Sequence, residues 1–310
     1  MSNLKERKKT SIGGSALIEG VMMRGPIISA MAVRKPDGEL DISQWDTNNG
    51  ERPWYKKAPF VRGMFNFIDS MRDSYKCLMK SADIAGFEEE PSAFEKKLMA
   101  KFGDNFTKFL SGLAMVLGAL IAVALFIVLP TTLMGFLRPF IHISWVLSLI
   151  ETILKMTIFV VYVFMISRMA EIQRVFEYHG AEHKTIACYE AGEELTVENV
   201  KKHSRFHPRC GTSFILIVII VSALVFSVIT FEKLIVRMAL KLICLPIVVG
   251  IAYEIIKIAG KYENCVTKVI SAPGLWLQRL TTREPDAGQI EAAIAAMIPC
   301  IPEDKEQDNW

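Results

Sequence analysis

Long apolar stretches constrain this chain more than any other feature of its sequence. Four stretches have this character: residues 109–137, 139–167, 213–231 and 238–259. The first and the third contain no charged side chain. About 20 apolar residues suffice for a helix to cross a bilayer, and buried helices of soluble proteins rarely sustain such lengths. The sequence therefore predicts a mainly α, polytopic membrane protein with about four transmembrane helices.

The distribution of lysine and arginine predicts the orientation of these helices. Both residue types are abundant in the N-terminal region, in the connection at residues 168–212 and in the C-terminal tail. Cytoplasmic loops carry an excess of these residues. We therefore expect a multi-pass protein of the plasma or inner membrane with both termini in the cytoplasm. Residues 1–10 are basic but lead into glycine-rich sequence, so a cleaved signal peptide is not expected.

This topology divides the chain into five regions. They are a cytoplasmic N-terminal region (1–108), transmembrane helices 1 and 2 (109–167), a cytoplasmic histidine-rich loop (168–212), transmembrane helices 3 and 4 (213–259) and a cytoplasmic helical tail (260–310). The six cysteines lack framework spacing and are expected to stay reduced. The net charge of +3 does not indicate nucleic acid, and basic residues beside the spans favour the lipid bilayer as the partner.

The N-terminal region contains signals for a small β element and for amphipathic helix. Residues 12–26 include four glycines, which indicate close packing or unusual backbone angles. Residues 27–34 and 39–45 flank a Lys-Pro-Asp-Gly turn and predict a β-hairpin. Residues 60–79 place apolar side chains at helical spacing, which fits an interfacial helix or a helix packed on the protein's own bundle. Residues 93–108 are expected to start another helix.

The clearest chemical signal is the sequence His-x-x-Glu-His formed by His179, Glu182 and His183. On a helix, residues four apart share one face, so both imidazoles reach toward one cation. Glu182 lies beside them as a candidate general base for metal-activated water. Four of the five histidines fall between residues 179 and 207, which strengthens the prediction of a site for a divalent metal, with zinc the first choice.

A zinc site that keeps one position open for water needs a third protein ligand. The sequence offers three candidates: His207, then Cys210, then Glu254 near the cytoplasmic end of the last span. If His207 and Cys210 both joined the two motif histidines, the site would be closed and structural. The alternative for Glu182 is a surface carboxylate that is solvated or orients Lys184.

The residues around the motif carry further expectations. Residues 168–190 are compatible with helix as far as Ala191 and Gly192, so the motif is expected on a cytoplasmic extension of the second span. Thr196 is expected to cap a short helix, and Asp286 with Gln289 has the spacing of a capping box.

Four charged residues have roles that the sequence leaves open. Glu151 and Lys155 form either an ion pathway or a mutually neutralising pair within the membrane. Glu19 and Arg24 either contact the metal loop or a substrate, or form local salt bridges.

Four segments of the chain resemble one known family. They are GGSALIEGVMMRGP at residues 13–26, YHGAEHK at 178–184, HSRFHPRCGT at 203–212 and APGLWLQ at 272–278. This combination resembles the YqhQ-like bacterial membrane family, a domain of unknown function, over nearly the whole chain. Members are described as predicted metal-dependent enzymes. The resemblance implies a multi-pass membrane protein with a metal site, and it supplies no substrate.

The leading expectation is an integral-membrane, metal-dependent enzyme of the zinc hydrolase type that acts at the cytoplasmic face. The amphipathic segment at residues 60–79 favours a lipidic or membrane-protein substrate. One alternative is a non-enzymatic scaffold or assembly factor with a structural metal site. Another is a transporter or ion sensor that uses Glu151, Lys155 and the histidine cluster. The sequence leaves the substrate, the metal's identity and the oligomeric state open.

Overall fold

A computed structural model describes residues 9–47, 58–86, 105–137, 139–141, 143–227, 233–262, 264–304 and 307–308. The chain divides into two compact units. The larger unit comprises Met1–Phe87, Tyr162–Val221 and Pro246–Trp310, and the smaller unit comprises Glu88–Val161 and Ser222–Leu245. Residues 93–104, where a further helix was expected to start, lie outside the described residues.

A four-stranded antiparallel sheet opens the larger unit. Its strands are β1 (Gly13–Leu17), β2 (Gly20–Arg24), β3 (Ile28–Arg34) and β4 (Leu40–Asp46), paired in sequence order. The predicted hairpin is confirmed as β3 and β4, joined by a turn in which Gly38 has a φ of +89°. The glycine-rich run forms a second hairpin, β1 and β2, which the sequence did not predict.

Helices make up most of the remaining described chain. They are α1 (Val61–Ile84), α2 (Asn105–Val123), α3 (Leu129–Leu137), α4 (Ser144–Ile166), α5 (Ala170–Glu190), α6 (Val197–Lys202), α7 (Gly211–Ser227), α8 (Leu234–Lys261), α9 (Cys265–Thr281) and α10 (Ala287–Met297). A π-helical turn, Ala124–Val128, joins α2 to α3, and a 3₁₀ turn, Ile298–Cys300, follows α10. Thr196 caps α6, and Asp286 with Gln289 forms a capping box on α10, as predicted.

Helix α5, the motif helix that carries His179, Glu182 and His183, is separate from α4, the apolar helix before it. Helix over most of residues 168–190 is confirmed, but the expected continuity with the second span is wrong, because α4 ends at Ile166 and α5 begins at Ala170. Met169 has extended backbone, with φ −72° and ψ 134°, which interrupts the helical hydrogen-bond ladder. The predicted stop at the far end is confirmed, since Ala191 caps α5 and Gly192 has a φ of +70°.

The two central strands of the sheet, β2 and β3, are buried on both faces. One face, which includes Val21, Met23 and Ala30, packs with α5 and α10 in a core with Tyr178 and Ile290. The other face, which includes Met22, Met31 and Val33, packs against Cys77 and Ile84 of α1. Because side chains alternate along a strand, a short sheet can hold α1 on one side and the motif helix on the other.

The start of α1 packs against α8. Arg62 binds the Glu254 carboxylate of α8, with Nε 2.7 Å from Oε1, and Asn66 donates to the Tyr253 hydroxyl at 2.8 Å. Further along α1, an apolar set stays exposed: Ile68, Met71, Tyr75, Leu78 and Met79. The start of α1 therefore packs on the protein's own helices, whereas the exposed apolar stripe beyond it leaves the interfacial alternative a prediction.

Three helices are long and apolar enough to span a membrane: Gly112–Leu137, Trp145–Ile166 and Ile235–Lys261. They match three of the four stretches expected to cross it. The remaining stretch, residues 213–231, corresponds to α7, an apolar helix of 17 described residues. Residues 228–232 lie outside the described residues. The chain therefore has three candidate spans among its described residues, which suggests membrane association.

A charged cluster lies among the apolar helices of the smaller unit. The Glu151 carboxylate of α4 contacts Lys155 Nζ at 2.8 Å and also binds Lys241 of α8, whose side chain is only 2% exposed. Lys241 further donates to the Thr131 hydroxyl at 3.0 Å. One carboxylate thus faces two buried ammonium groups, so the pair expected from spacing is part of a larger network.

Candidate metal centre

Helix α5 presents the two motif histidines side by side. His179 and His183 lie one turn apart, and their ring centroids are 4.4 Å from each other. His183 is almost fully buried, and Tyr178, Ala181 and Glu182 around it are buried as well. The helix places both rings on one face, as the spacing predicts.

Cys210 completes a three-donor cluster with these histidines. It lies immediately before α7, and its Sγ is 3.2 Å from His179 Nε2. One ligand atom from each of His179, His183 and Cys210 lies within 4.8 Å of the others. Two imidazoles and a thiolate are a donor set typical of zinc, and three protein ligands leave a coordination position open.

Two backbone carbonyls orient the imidazoles. His179 Nδ1 donates to the Thr281 carbonyl at 2.8 Å, and His183 Nδ1 donates to the Arg205 carbonyl at 2.6 Å. When such a ring is neutral, the proton on Nδ1 leaves a lone pair on Nε2, which is the tautomer that binds a metal through Nε2. Metal-binding histidines commonly have such an outer partner. With both Nδ1 atoms held by carbonyls, the two Nε2 atoms are the ones that would bind a cation.

The electrostatics of the cluster favour a thiolate at Cys210. Burial opposes ionisation, but the adjacent His179 and His183 lower the pKa of the Cys210 thiol well below 9.0. Burial also disfavours the charged imidazole, yet the Cys210 sulfur raises the pKa of His179 to about 9. In the metal-free chain the two groups therefore stabilise each other as an ion pair. A cysteine held as thiolate has the form that binds metals.

Glu182 is buried against the glycine-rich strand rather than exposed. The backbone N–H of Gly14 in β1 donates to its carboxylate. A Cβ built at Gly14 would lie 2.9 Å from Glu182 Cδ, so only glycine permits this approach. Burial raises the pKa of Glu182, and the neighbouring histidines oppose that rise. The alternative in which Glu182 orients Lys184 finds no support, because Lys184 Nζ lies 2.8 Å from Glu284.

His207, the first-ranked third ligand, lies beside the cluster with its own partners. Its ring centroid is 5.6 Å from that of His183, and its Nε2 accepts a hydrogen bond from Arg209 at 3.3 Å. Gln278 of α9 clamps its backbone, accepting from its N–H at 2.8 Å and donating to its carbonyl at 2.7 Å. Cys210, ranked second, is the residue that joins the two histidines.

Glu254, the third-ranked ligand, lies apart from the cluster among the described residues. Its carboxylate accepts hydrogen bonds from Arg62 Nε at 2.7 Å and from the Phe60 backbone N–H at 3.2 Å. It is not one of the residues that the structure groups with His179 and His183. Glu254 was a candidate ligand because a carboxylate near the membrane needs a partner, and Arg62 is that partner.

Glu19 and Arg24, whose roles the sequence left open, each form a salt bridge with a residue distant in the chain. The Glu19 carboxylate binds the Arg174 guanidinium of α5 and lies 3.3 Å from the Tyr178 hydroxyl. Arg24 pairs with Asp73 of α1 at 3.2 Å. Glu19 therefore fastens the β1–β2 turn to the motif helix, one turn before His179.

A cavity of about 330 Å³ lies at the face of the sheet that packs against α1. Its lining includes Arg24, Met31, Trp45, Lys76, Cys77 and Lys80. None of its lining residues belongs to the His179–His183–Cys210 cluster. The cavity is therefore separate from the candidate metal centre.

The residues that support the cluster were largely missed from sequence. The carbonyls of Thr281 and Arg205, the N–H of Gly14 and the amide of Gln278 all act through backbone or long-range contacts. Their positions fall in or beside three of the four segments that carry the family resemblance, at residues 13–26, 203–212 and 272–278. The family resemblance of those segments was the sequence signal that could have pointed to these supporting residues.

Fold and cluster together define a mainly helical protein with three candidate membrane spans among its described residues and a largely buried His-His-Cys group. The chain belongs to the family described as "Protein of unknown function (DUF1385)", whose match covers residues 58–303. It is similar to the Bacillus subtilis (strain 168) protein described as "Uncharacterized protein YqhQ", with 35% identity over 294 residues, 94% of this chain and 92% of the relative. The expected family is confirmed. No solved structure is significantly similar to the chain.

Proposed function

We propose that this chain is a membrane-embedded, metal-dependent hydrolase. The observation that carries the proposal is the convergence of His179, His183 and Cys210, whose ligand atoms lie within 4.8 Å of one another. The donor set favours zinc. The buried carboxylate of Glu182 on the same helix supplies a base beside the three donors.

Each residue has a separate role in this proposal. A divalent ion held by the three donors would lower the pKa of a bound water and polarise a substrate oxygen. The carbonyls of Thr281 and Arg205 keep the two rings in the metal-binding tautomer. Glu182 accepts the proton that the nucleophile loses, and its hydrogen bond from Gly14 fixes the carboxylate in position. Burial of this group keeps bulk water from competing for that proton.

An open coordination position distinguishes an enzyme from a structural metal site. His207 is the residue that would close the shell, because its ring is 5.6 Å from that of His183. Its Nε2 already accepts from Arg209, and Gln278 holds its backbone from both sides. These contacts favour three protein ligands and an enzyme. A scaffold with a four-ligand structural site is the second candidate, and it requires His207 to leave Arg209.

The proposal places the centre at the cytoplasmic side of the membrane. Four spans, with α7 as the third, would put residues 168–212 and both termini in the cytoplasm, where lysine and arginine are abundant. The exposed apolar stripe of α1, including Met71 and Tyr75, favours a lipidic or membrane-protein substrate.

Replacing Glu182 with glutamine tests the assigned base. The substitution preserves shape but removes proton acceptance, so hydrolysis is expected to fall by about 100-fold or more. The probes are p-nitrophenyl acetate and p-nitrophenyl phosphate with detergent-purified full chain. Metal content, measured in the same samples, is expected to match the wild type because Glu182 is not one of the three donors.

The matched control is Glu171→Gln, at an exposed position in the first turn of the same helix. It is expected to leave both hydrolysis and metal content unchanged. Wild-type hydrolysis by Glu182→Gln would rule out the carboxylate as base. A wild-type protein that holds the ion but hydrolyses neither probe would favour the structural-site candidate.

A further inference from the structure

A second group of metal-type donors lies where α5 turns into α6. Cys188, Glu193 and His203 each place one ligand atom within 4.8 Å of the other two. None of them belongs to the His179–His183–Cys210 cluster. His203 is also the histidine of the 179–207 concentration that the proposed function does not use.

The end of α5 brings Glu193 back over Cys188. Gly192 adopts a left-handed φ of +70°, its N–H donates to the Tyr189 carbonyl at 2.9 Å, and the Glu193 N–H donates to the Cys188 carbonyl at 3.2 Å. These two bonds form a Schellman motif, in which the residue after the glycine lies above the third-last helical residue. The turn therefore fixes two of the three donors next to each other.

Helix α6 supplies the third donor. Thr196 caps its start, and His203 caps its end, with the His203 N–H donating to the Val200 carbonyl at 3.1 Å. The His203 side chain is only 18% exposed. Its Nε2 is buried and has no hydrogen-bonding partner among the described residues. It lies 3.3 Å from Glu193 Oε2, but the two groups do not have the geometry of a hydrogen bond.

We propose that Cys188, Glu193 and His203 bind a second divalent cation of the zinc class. A buried nitrogen without a hydrogen bond is costly in a folded protein, and a cation held between His203 and Glu193 would satisfy it. Sulfur, carboxylate oxygen and imidazole nitrogen are all zinc ligands. The fully buried Cys188 thiol donates to the Glu194 carbonyl at 3.6 Å, and binding a cation as thiolate would give up this hydrogen bond and release the proton to solvent.

The second cation would fasten the loop that completes the first centre. It would join the end of α5 to the end of α6, and His203 lies two residues before Arg205, whose carbonyl orients His183. Glu193 is 45% exposed, so solvent has access to the site and can complete the coordination shell. The site is therefore structural in role and independent of the hydrolase proposal in its ligands.

Metal stoichiometry of the full chain tests this inference. Detergent-purified protein is stripped with a chelator, reloaded with zinc, and analysed by elemental mass spectrometry. Wild type is expected to hold about two ions per chain, and His203→Ala and Glu193→Gln about one. Glu198→Gln, at an exposed position on α6, is the matched control and is expected to keep both.

A cobalt-loaded His179→Ala variant isolates the second site. Its remaining ion is expected to show thiolate-to-cobalt absorption that Cys188→Ser removes. Unchanged zinc content in both His203→Ala and Glu193→Gln would overturn the inference, and Glu193→Gln keeps this test meaningful because the exposed side chain is not needed for folding. If His179→Ala lost no ion while His203→Ala did, the hydrolase proposal would fail and this inference would stand.

Discussion

Alanine at position 180 is expected to displace the chain segment that holds the metal-motif helix. A Cβ at Gly180 would lie 1.9 Å from the Arg283 carbonyl oxygen, far inside van der Waals contact. The segment cannot yield easily, because the Arg283 N–H donates to the Phe176 carbonyl at 2.8 Å. Its movement would also withdraw the Thr281 carbonyl from His179. We expect Gly180→Ala to lose both stability and metal.

The size of the effect follows from two opposing terms. Alanine gains about 1 kcal/mol in helix propensity over glycine. Forcing extra volume into a packed interior costs about 1–3 kcal/mol, and more when backbone must move. With the cost at the upper end of that range, we expect a net loss of about 2 kcal/mol, seen as a fall of about 4–8 °C in the apparent melting temperature in detergent.

Gly118→Ala is the control for this prediction, because a Cβ at that helical glycine would meet nothing within 4 Å. It is expected to leave the melting temperature unchanged or slightly raised. A Gly180→Ala protein that melts like the wild type and keeps its metal would show that the 281–285 segment does not lie close enough to α5 to exclude a methyl group.

Replacing Glu151 with leucine is expected to destabilise the smaller unit. The Glu151 carboxylate contacts both Lys155 and Lys241, and its loss leaves two buried ammonium groups without their counter-charge. Breaking a buried ion pair by removing one partner costs about 3–5 kcal/mol. The expected readout is a clear fall in thermal stability of the detergent-purified chain.

The double variant Glu151→Leu with Lys241→Met separates charge from packing. Methionine removes the ammonium that is most buried, at 2% exposure, so part of the lost stability is expected to return. If Glu151→Leu alone left the melting temperature unchanged, the network would not stabilise the fold. If the double variant were less stable than Glu151→Leu, the loss would come from packing rather than charge.

Local patterns predicted the elements that depend on local forces. The β3–β4 hairpin, the caps at Thr196 and Asp286, and the stop at Gly192 each follow from a few adjacent residues. The shared face of His179 and His183 likewise follows from helical spacing. The apolar stretches predicted three helices of membrane-spanning length, because length and composition alone decide that property.

Long-range packing decided the features that the sequence did not reveal. Glycine at position 14 allows β1 to approach Glu182 closely, a contact between residues far apart in the chain that local patterns do not reveal. Cys210, not His207, lies with the donor atoms of His179 and His183. His207 instead has hydrogen bonds with Gln278 and Arg209, which the sequence pattern did not reveal. Glu254 was considered a ligand because it needed a partner, and the partner is Arg62 of α1.

Metal content of the detergent-purified protein tests the central claim most directly. Wild type, His179→Ala and His207→Ala are compared by elemental mass spectrometry at equal protein concentration. We expect His179→Ala to hold about one ion fewer per chain than the wild type, since a three-donor site cannot lose a ligand without losing affinity. His207→Ala is expected to hold as much metal as the wild type. Equal metal in the wild type and His179→Ala, or none in either, would contradict the metal centre.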